Sequence, residues 1–280
     1  GKNNQTSNFT GIIQNTTGTL ALTKVGTGTL TLSGANDYTG TTTISAGTLA
    51  IDGATAKAGN GGTIAVGSGT LNINNGATLD NAVTITTGII GNTAGTGTLA
   101  TGGVTLNGAA NLSSTTGTGL SVSAGIAQTA ATDSVTKIGA GTVTLSGNNA
   151  YTGTTTVNAG TLTLSGGSAI ADVGAVVLAD VATAQLNLTN NNETIGSLAG
   201  GGGNGGQVNL NTNTLTTGGA GNTTYSGVIS GSGGLTKAGA ATTFTLSGAN
   251  DYTGNTTIDA GTLAVDGSTA KAGNGGTIAV

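Results

Sequence analysis

The chain has 280 residues, of which 55 are glycine and only 6% are charged, and it contains no histidine, cysteine, methionine, tryptophan, proline or arginine. Those absences exclude Ser/His/Asp and Cys/His catalysis, thiolate and imidazole metal sites, and any disulfide framework. A net charge of −4 without a basic stripe argues against nucleic acid and anionic membranes as partners, and no run reaches the roughly 18 apolar residues that span a bilayer.

From the start of the chain, Gly1 to Thr10 lacks a charged-then-apolar signal pattern, so a secretion signal is expected outside this sequence. Three blocks of similar phrases follow, at 9–53, 118–166 and 225–267. The first reads Thr23-Lys24-Val25-Gly26, then Gly28-Thr29-Leu30-Thr31-Leu32-Ser33-Gly34, then Asn36-Asp37-Tyr38-Thr39-Gly40 and Ala46-Gly47-Thr48-Leu49. The second repeats these as Thr136-Lys137-Ile138-Gly139, Gly141 to Gly147, Asn149-Ala150-Tyr151-Thr152-Gly153 and Ala159-Gly160-Thr161-Leu162. The third carries Thr236-Lys237, Phe244 to Gly248, Asn250-Asp251-Tyr252-Thr253-Gly254 and Ala260-Gly261-Thr262-Leu263, with one extra residue just before Phe244. A longer period is superposed on these, because residues 35–66 nearly recur as residues 249–280.

Inside each block a shorter step appears. The Gly-Thr-Leu phrase at Gly28 returns at Gly47, and the kindred Gly-Thr-Val phrase at Gly141 returns as Gly-Thr-Leu at Gly160; elsewhere the step loosens, as from Leu49 to Leu71 and from Leu188 to Leu210. Short alternating runs such as Leu30-Thr31-Leu32 and Val208-Asn209-Leu210 are a strand signal, which argues against a disordered linker despite the composition. Long helices are unfavourable, since glycine costs up to about 1 kcal/mol at each helix-interior position. Short strands and Gly/Asn turns recurring every 19–22 residues predict an all-β parallel β-helix, a β-solenoid of roughly fourteen coils stacked about 4.8 Å apart. Leu30, Leu32, Ile44, Leu49 and Ile51 are expected inside, with small Thr, Ser and Ala outside, and one continuous solenoid is expected over residues 1–280. Asn is expected to share the left-handed turns with Gly.

The phrase from Tyr225 through Lys237 to Gly254, and the first block from Phe9-Thr10-Gly11-Ile12-Ile13 and Lys24 to Ile51, resemble the passenger-associated strand repeat of bacterial autotransporters. That resemblance implies a right-handed parallel β-helix, exported and displayed at the bacterial cell surface or secreted, with the repeats acting as scaffold.

Other candidate sites are weaker than their structural readings. Paired-carboxylate hydrolysis needs clustered acids, yet Asp37, Asp52, Asp251, Asp259 and Asp266 fall at turns or on the outward phase of strands, and Glu193 is the lone glutamate. Gly200–Gly206 contains no Asp for a calcium nonapeptide and no Lys-Ser/Thr for a phosphate loop, so it reads as a turn between coils. Tyr38, Tyr151 and Tyr252 share one slot; a ring over a glycine corner is the structural reading and an exposed platform for sugar stacking the functional one. Lys24, Lys137 and Lys237 read as corner residues or solvated charges that discourage lateral pairing. Thr-x-Thr phrases such as Thr27/Thr29/Thr31, Thr41/Thr43 and Thr154/Thr156 could form an ice-binding ladder, but Thr is also an ordinary strand residue. The Asn8 and Asn255 sequons are expected by chance in so Asn- and Thr-rich a chain. The sequence therefore predicts no enzyme, no catalytic residues, no metal and no cofactor. It predicts a stiff extracellular stalk or fibre segment supporting adhesion or a biofilm matrix, without membrane insertion in this segment. Two alternatives accompany it: a filament subunit whose partner is another copy stacked end to end, and an adhesin face recognising surface glycans.

Overall fold

The computed structural model describes residues 4–280, and among these every regular element is a β-strand. The chain forms two compact units, Gly1–Ser134 with Gly141–Thr144, and Val135–Ala140 with Leu145–Val280.

In the first unit, one face stacks the strands Ser7–Phe9, Thr29–Leu32, Thr48–Asp52, Thr70–Asn74, Ile89–Asn92 and Ala109–Ser114 in chain order, every pair parallel. A second face stacks Leu22–Lys24, Thr42–Ile44, Ile64–Val66, Val83–Ile85, Val104–Leu106 and Ile126–Gln128. A third builds up later from Ala77–Leu79, Thr96–Leu99 and Gly119–Val122. Strands that pair in parallel with the coil before and the coil after, each about one turn away in sequence, define a β-solenoid.

The second unit repeats the arrangement. Its first face runs Ser134–Ile138, Thr155–Val157, Ala175–Leu178, Ser197–Gly200, Thr223–Tyr225, Thr243–Leu246 and Thr262–Val265. The next holds Thr161–Ser165, Gln185–Thr189, Gln207–Asn209 and Ile229–Ser230. The last holds Glu193–Thr194, Leu215–Thr217, Leu235–Lys237, Thr256–Ile258 and Ile278–Ala279.

The register matches the sequence period. Leu30 pairs with Leu49 and Leu49 with Leu71, while Leu246 pairs with Val265 and Leu186 with Val208. Some turns are longer than the expected 19–22 residues: Ser7 pairs with Leu30, and Gly200 with Tyr225. Such turns reduce the coil count from the expected fourteen to about twelve. Around Gly200 the extra length is a small closed corner, in which the Gly202 amide donates to the Gly205 carbonyl at 2.9 Å and the Asp180 carboxylate accepts from the Asn204 amide at 2.8 Å.

Alternation sets the core. Along Thr142–Leu145 and Thr243–Leu246 the apolar residues are buried and the threonines between them half-exposed. Leu32, Ile44, Leu49 and Ile51 are fully buried, and Leu30 is half-buried. Each buried Leu or Ile contributes about 1.5–3 kcal/mol of transfer free energy, and each column of them is shared with the coils on either side. Left-handed corners fall on glycine and also on Asn75, Asn190 and Asn211, whose φ values are 51°, 69° and 50°.

Candidate functional site

The lysine, asparagine and tyrosine that recur in the three blocks point inward, while recurring threonines such as Thr39, Thr152 and Thr253 are exposed. Lys24, Lys137 and Lys237 are 3%, 0% and 0% exposed, so of the two sequence readings the corner residue holds and the solvated charge does not. Lys24 and Lys237 end their strands, Lys137 stands one residue before the end of its own, and each curls its ammonium under the following glycine corner. Lys24 Nζ donates to the carbonyls of Val25 at 2.9 Å, Gly26 at 2.7 Å and, from the next coil, Ala46 at 3.1 Å. Lys137 Nζ does the same with Ile138 at 2.9 Å, Gly139 at 2.6 Å and Ala159 at 2.8 Å. Lys237 Nζ reaches Ala238, Gly239 at 3.0 Å and Ala260 at 3.1 Å, and additionally Thr242 Oγ1 at 3.0 Å, a residue beside the one inserted in this block. Three carbonyls around an ammonium supply the solvation that water would otherwise give. Burial nevertheless pulls all three ammonium groups below the ordinary lysine value, Lys137 to about 8.

The cage explains why the Ala-Gly-Thr-Leu phrase answers the Thr-Lys-x-Gly phrase. A Cβ on Gly47, whose φ is +64°, would lie 2.3 Å from the Gly26 carbonyl and 2.7 Å from Lys24 Nζ. Only glycine lets the second corner close on the first.

Tyr38, Tyr151 and Tyr252 are fully buried, which removes the sugar-stacking platform and supports the ring-over-corner reading. A Cβ on Gly59 would lie 2.9 Å from the Tyr38 ring, and one on Gly273 2.8 Å from the Tyr252 ring. Each phenol shares a hydrogen bond with the hydroxyl four residues on: Thr42 at 2.6 Å, Thr155 at 2.8 Å and Thr256 at 2.6 Å. Thr42 and Thr155 are the middle members of Thr-Thr-Thr runs, Thr256 stands between Asn255 and Thr257, and all three face inward while their neighbours on both sides face outward. Burial raises all three phenols, Tyr151 to about 12.

A third recurrent group was not singled out in the sequence. Asn36, Asn149 and Asn250 are buried, and their side-chain amides donate to carbonyls of the following coil, those of Lys57 at 2.8 Å, Ala169 at 2.7 Å and Lys271 at 2.7 Å. The signal was present, since Asn stands two residues before Tyr in every block. Two carboxylates are also buried. Glu193 accepts from the Ile170 amide at 2.7 Å, and burial raises its carboxyl above the usual range. Asp133 accepts from the amides of Thr129 and Ala130, both at 2.9 Å, which holds it below that range. Asp37, Asp251, Asp259 and Asp266 are exposed, and Asp52 is half-exposed. Among the described residues no group of three or more Asp, Glu, His or Cys could hold a metal ion, and no helix is long and apolar enough to cross a membrane.

Chemically, this arrangement fastens backbone to backbone. Ammonium, amide and phenol are each committed to a neighbour in the same coil or the next.

Comparison with known proteins agrees with that geometry. The passenger-associated-transport-repeat family model matches residues 22–51, 135–168 and 235–265, and each match contains one complete lysine cage. An adhesin autotransporter of Brucella suis is 38% identical over 237 residues, 83% of this chain but 6% of that protein, so the chain spans a small fraction of its relative's length. No solved structure gives a significant match. With three such repeats folded onto solenoid coils, the chain is an autotransporter passenger repeat protein.

Proposed function

We propose that the chain is a non-enzymatic, stiff stalk segment of a surface-exposed or secreted passenger, holding adhesive regions of a longer protein away from the cell. The observation that carries this reading is where the repeat spends its constant residues. Lys, Asn, Tyr and the corner glycines all act between coils, and the outward positions that recur hold Thr and Ser, such as Thr31/Thr144/Thr245 and Thr39/Thr152/Thr253. The charged, amide and aromatic side chains common to all three blocks, the kinds that usually carry recognition, are turned inward, and outward Thr and Ser are ordinary residues of an exposed strand.

Nearest-neighbour stacking also suits a spacer, because each coil needs only the coil beneath it and length can be added without redesign. The name of the Brucella suis relative, an adhesin, supports a role at a surface. The test is imaging of the purified chain together with single-molecule pulling. Discrete short rods that resist extension until coils peel off singly support the stalk. Long uniform fibres would replace it with the end-to-end filament, and a compliant, compact particle would refute it.

A further inference from the structure

The side of the first unit carries a cleft of about 180 Å³ lined by Lys57, Asn60, Thr78, Asp80 and Asn81 together with the backbone of Gly59, Gly61 and Leu79. One wall is the corner 57–61 of one coil, and the other is the strand end 78–81 of the next. We propose that this cleft binds a single neutral sugar ring, such as a terminal hexose of a surface polysaccharide.

The lining selects the ligand class. Leu79 is buried, so its side chain belongs to the core and the cleft offers no apolar side-chain wall. An apolar ligand would gain little there. Lys57 and Asp80 bring opposite charges to one small space, which disfavours a polymer of either sign. What remains is a ring of donors and acceptors: an ammonium, a carboxylate, two side-chain amides and a hydroxyl. Adjacent hydroxyls of a pyranose match that set, each able to donate to the carboxylate and accept from the ammonium or amide. The volume corresponds to about six waters at about 30 Å³ each, the displacement expected of one ring and not of an extended chain.

The cleft is also preformed, which keeps the ordering cost of binding low. The Asn60 amide donates to the Tyr38 carbonyl at 2.8 Å, and Asn81 Nδ2 to the Gly62 carbonyl at 2.8 Å. Asp80 Oδ1 is held by the Thr101 hydroxyl at 2.9 Å. The corner rests on the buried Tyr38 ring against Gly59, so the tyrosine that cannot stack on a sugar supports the loop that would bind one. The same corner is rebuilt at residues 271–275, with the Asn274 amide on the Tyr252 carbonyl at 2.7 Å. This site is independent of the stalk role, which stands or falls on imaging.

The experiment immobilises neutral polysaccharides (an α-mannan and a galactan) beside heparin as a charged control and measures binding of the purified chain. Saturable binding to a neutral polymer is expected, weakened about tenfold by Lys57→Ala and by Asp80→Ala, since each removes one charge-assisted contact. Asp259→Ala, outside the cleft and the rebuilt corner, should leave it unchanged, and thermal unfolding of all three variants should match the parent because the altered side chains are exposed. Binding that survives both cleft substitutions, binding to heparin alone, or no binding to a neutral polymer overturns the proposal.

Discussion

Replacing Lys137 by methionine isolates the cage from everything else the side chain does. Methionine keeps an unbranched stem and fills most of the same space, but it offers no donor to the carbonyls of Ile138, Gly139 and Ala159. Hydrogen bonds to a charged donor contribute about 1.5–3 kcal/mol each, and a buried acceptor left unpaired costs about 1–3 kcal/mol. Against this, the variant no longer dehydrates an ammonium, a cost of several kcal/mol in a protein interior. The balance is a net destabilisation of about 2–4 kcal/mol. A solenoid opens coil by coil, so the loss is best read locally by hydrogen exchange. The Asn158 amide, which donates to the Lys137 carbonyl at 3.0 Å, and the Val135 amide, which donates to Thr154 at 3.1 Å, lie in the affected coils. Their protection should fall by about 30-fold to 700-fold, while exposed Lys57→Met should change stability by less than about 0.5 kcal/mol. Unchanged or increased protection in Lys137→Met would show that the cage is tolerated and does not fasten the coils. The pH dependence gives a second readout. Because burial lowers the folded value to about 8 from 10.5, the unfolded chain retains a proton between those values that the folded chain has released. The lysine's contribution to stability therefore rises with pH across that window, and the slope should disappear in Lys137→Met.

Four further substitutions, at three positions, test other contacts of the coils. Gly47→Ala places a methyl against the Gly26 carbonyl at a φ of +64° and should cost more than about 2 kcal/mol in urea unfolding. Tyr151→Phe, which loses only the Thr155 bond, should cost about 1 kcal/mol, whereas Tyr151→Ala should cost about 3–5 kcal/mol by opening a cavity, both read by thermal unfolding. Asp133 stabilises the turn from Thr129 while ionised, and its folded value lies below 3.8. That contribution is present above 3.8 and is lost as pH falls through the folded value, so Asp133→Asn should flatten the acid limb of a circular-dichroism pH titration.

The fold was legible because a solenoid writes its turn length into the sequence. Leu30 and Leu49 are one coil apart in number and adjacent in space, and the Val208-Asn209 alternation faces in and out as the pattern indicates. The interior chemistry was less legible. A lysine in a chain with so few charges reads as a surface residue, since burying an ammonium is unfavourable unless several acceptors converge on it. Those acceptors are main-chain carbonyls, invisible to any reading of side chains, and the residue supplying one of them lies a coil away. The ring-over-corner reading of Tyr38 agrees with the structure, but its hydrogen-bond partner was not legible for a related reason. Its partner Thr42 sits in a threonine run that looks uniform in sequence, while strand geometry turns the middle residue inward and its neighbours out. Glu193 likewise gave no local sign of burial, because the amides it caps are those of Ala169 and Ile170 on the preceding coil.

The second and third blocks also differ in the face they occupy, and this bears on what the repeat is for. Within the second unit Lys137 lies on the first face, in register with Val157, Leu178, Gly200 and Tyr225 through four successive turns. The next block begins after a further fraction of a turn, so Lys237 lies on the last face, in register with Thr217 and Ile258. Both lysines nevertheless build the same cage, because the cage needs only a strand end, a glycine corner and the corner of the next coil, and every face supplies these. A binding motif carried through such a phase shift would point its copies in different directions, and a single ligand surface could not engage them together. A fastening loses nothing by the same shift. The repeat spacing thus preserves the coil-to-coil bond without holding the outward faces in one direction, which fits the proposed stalk.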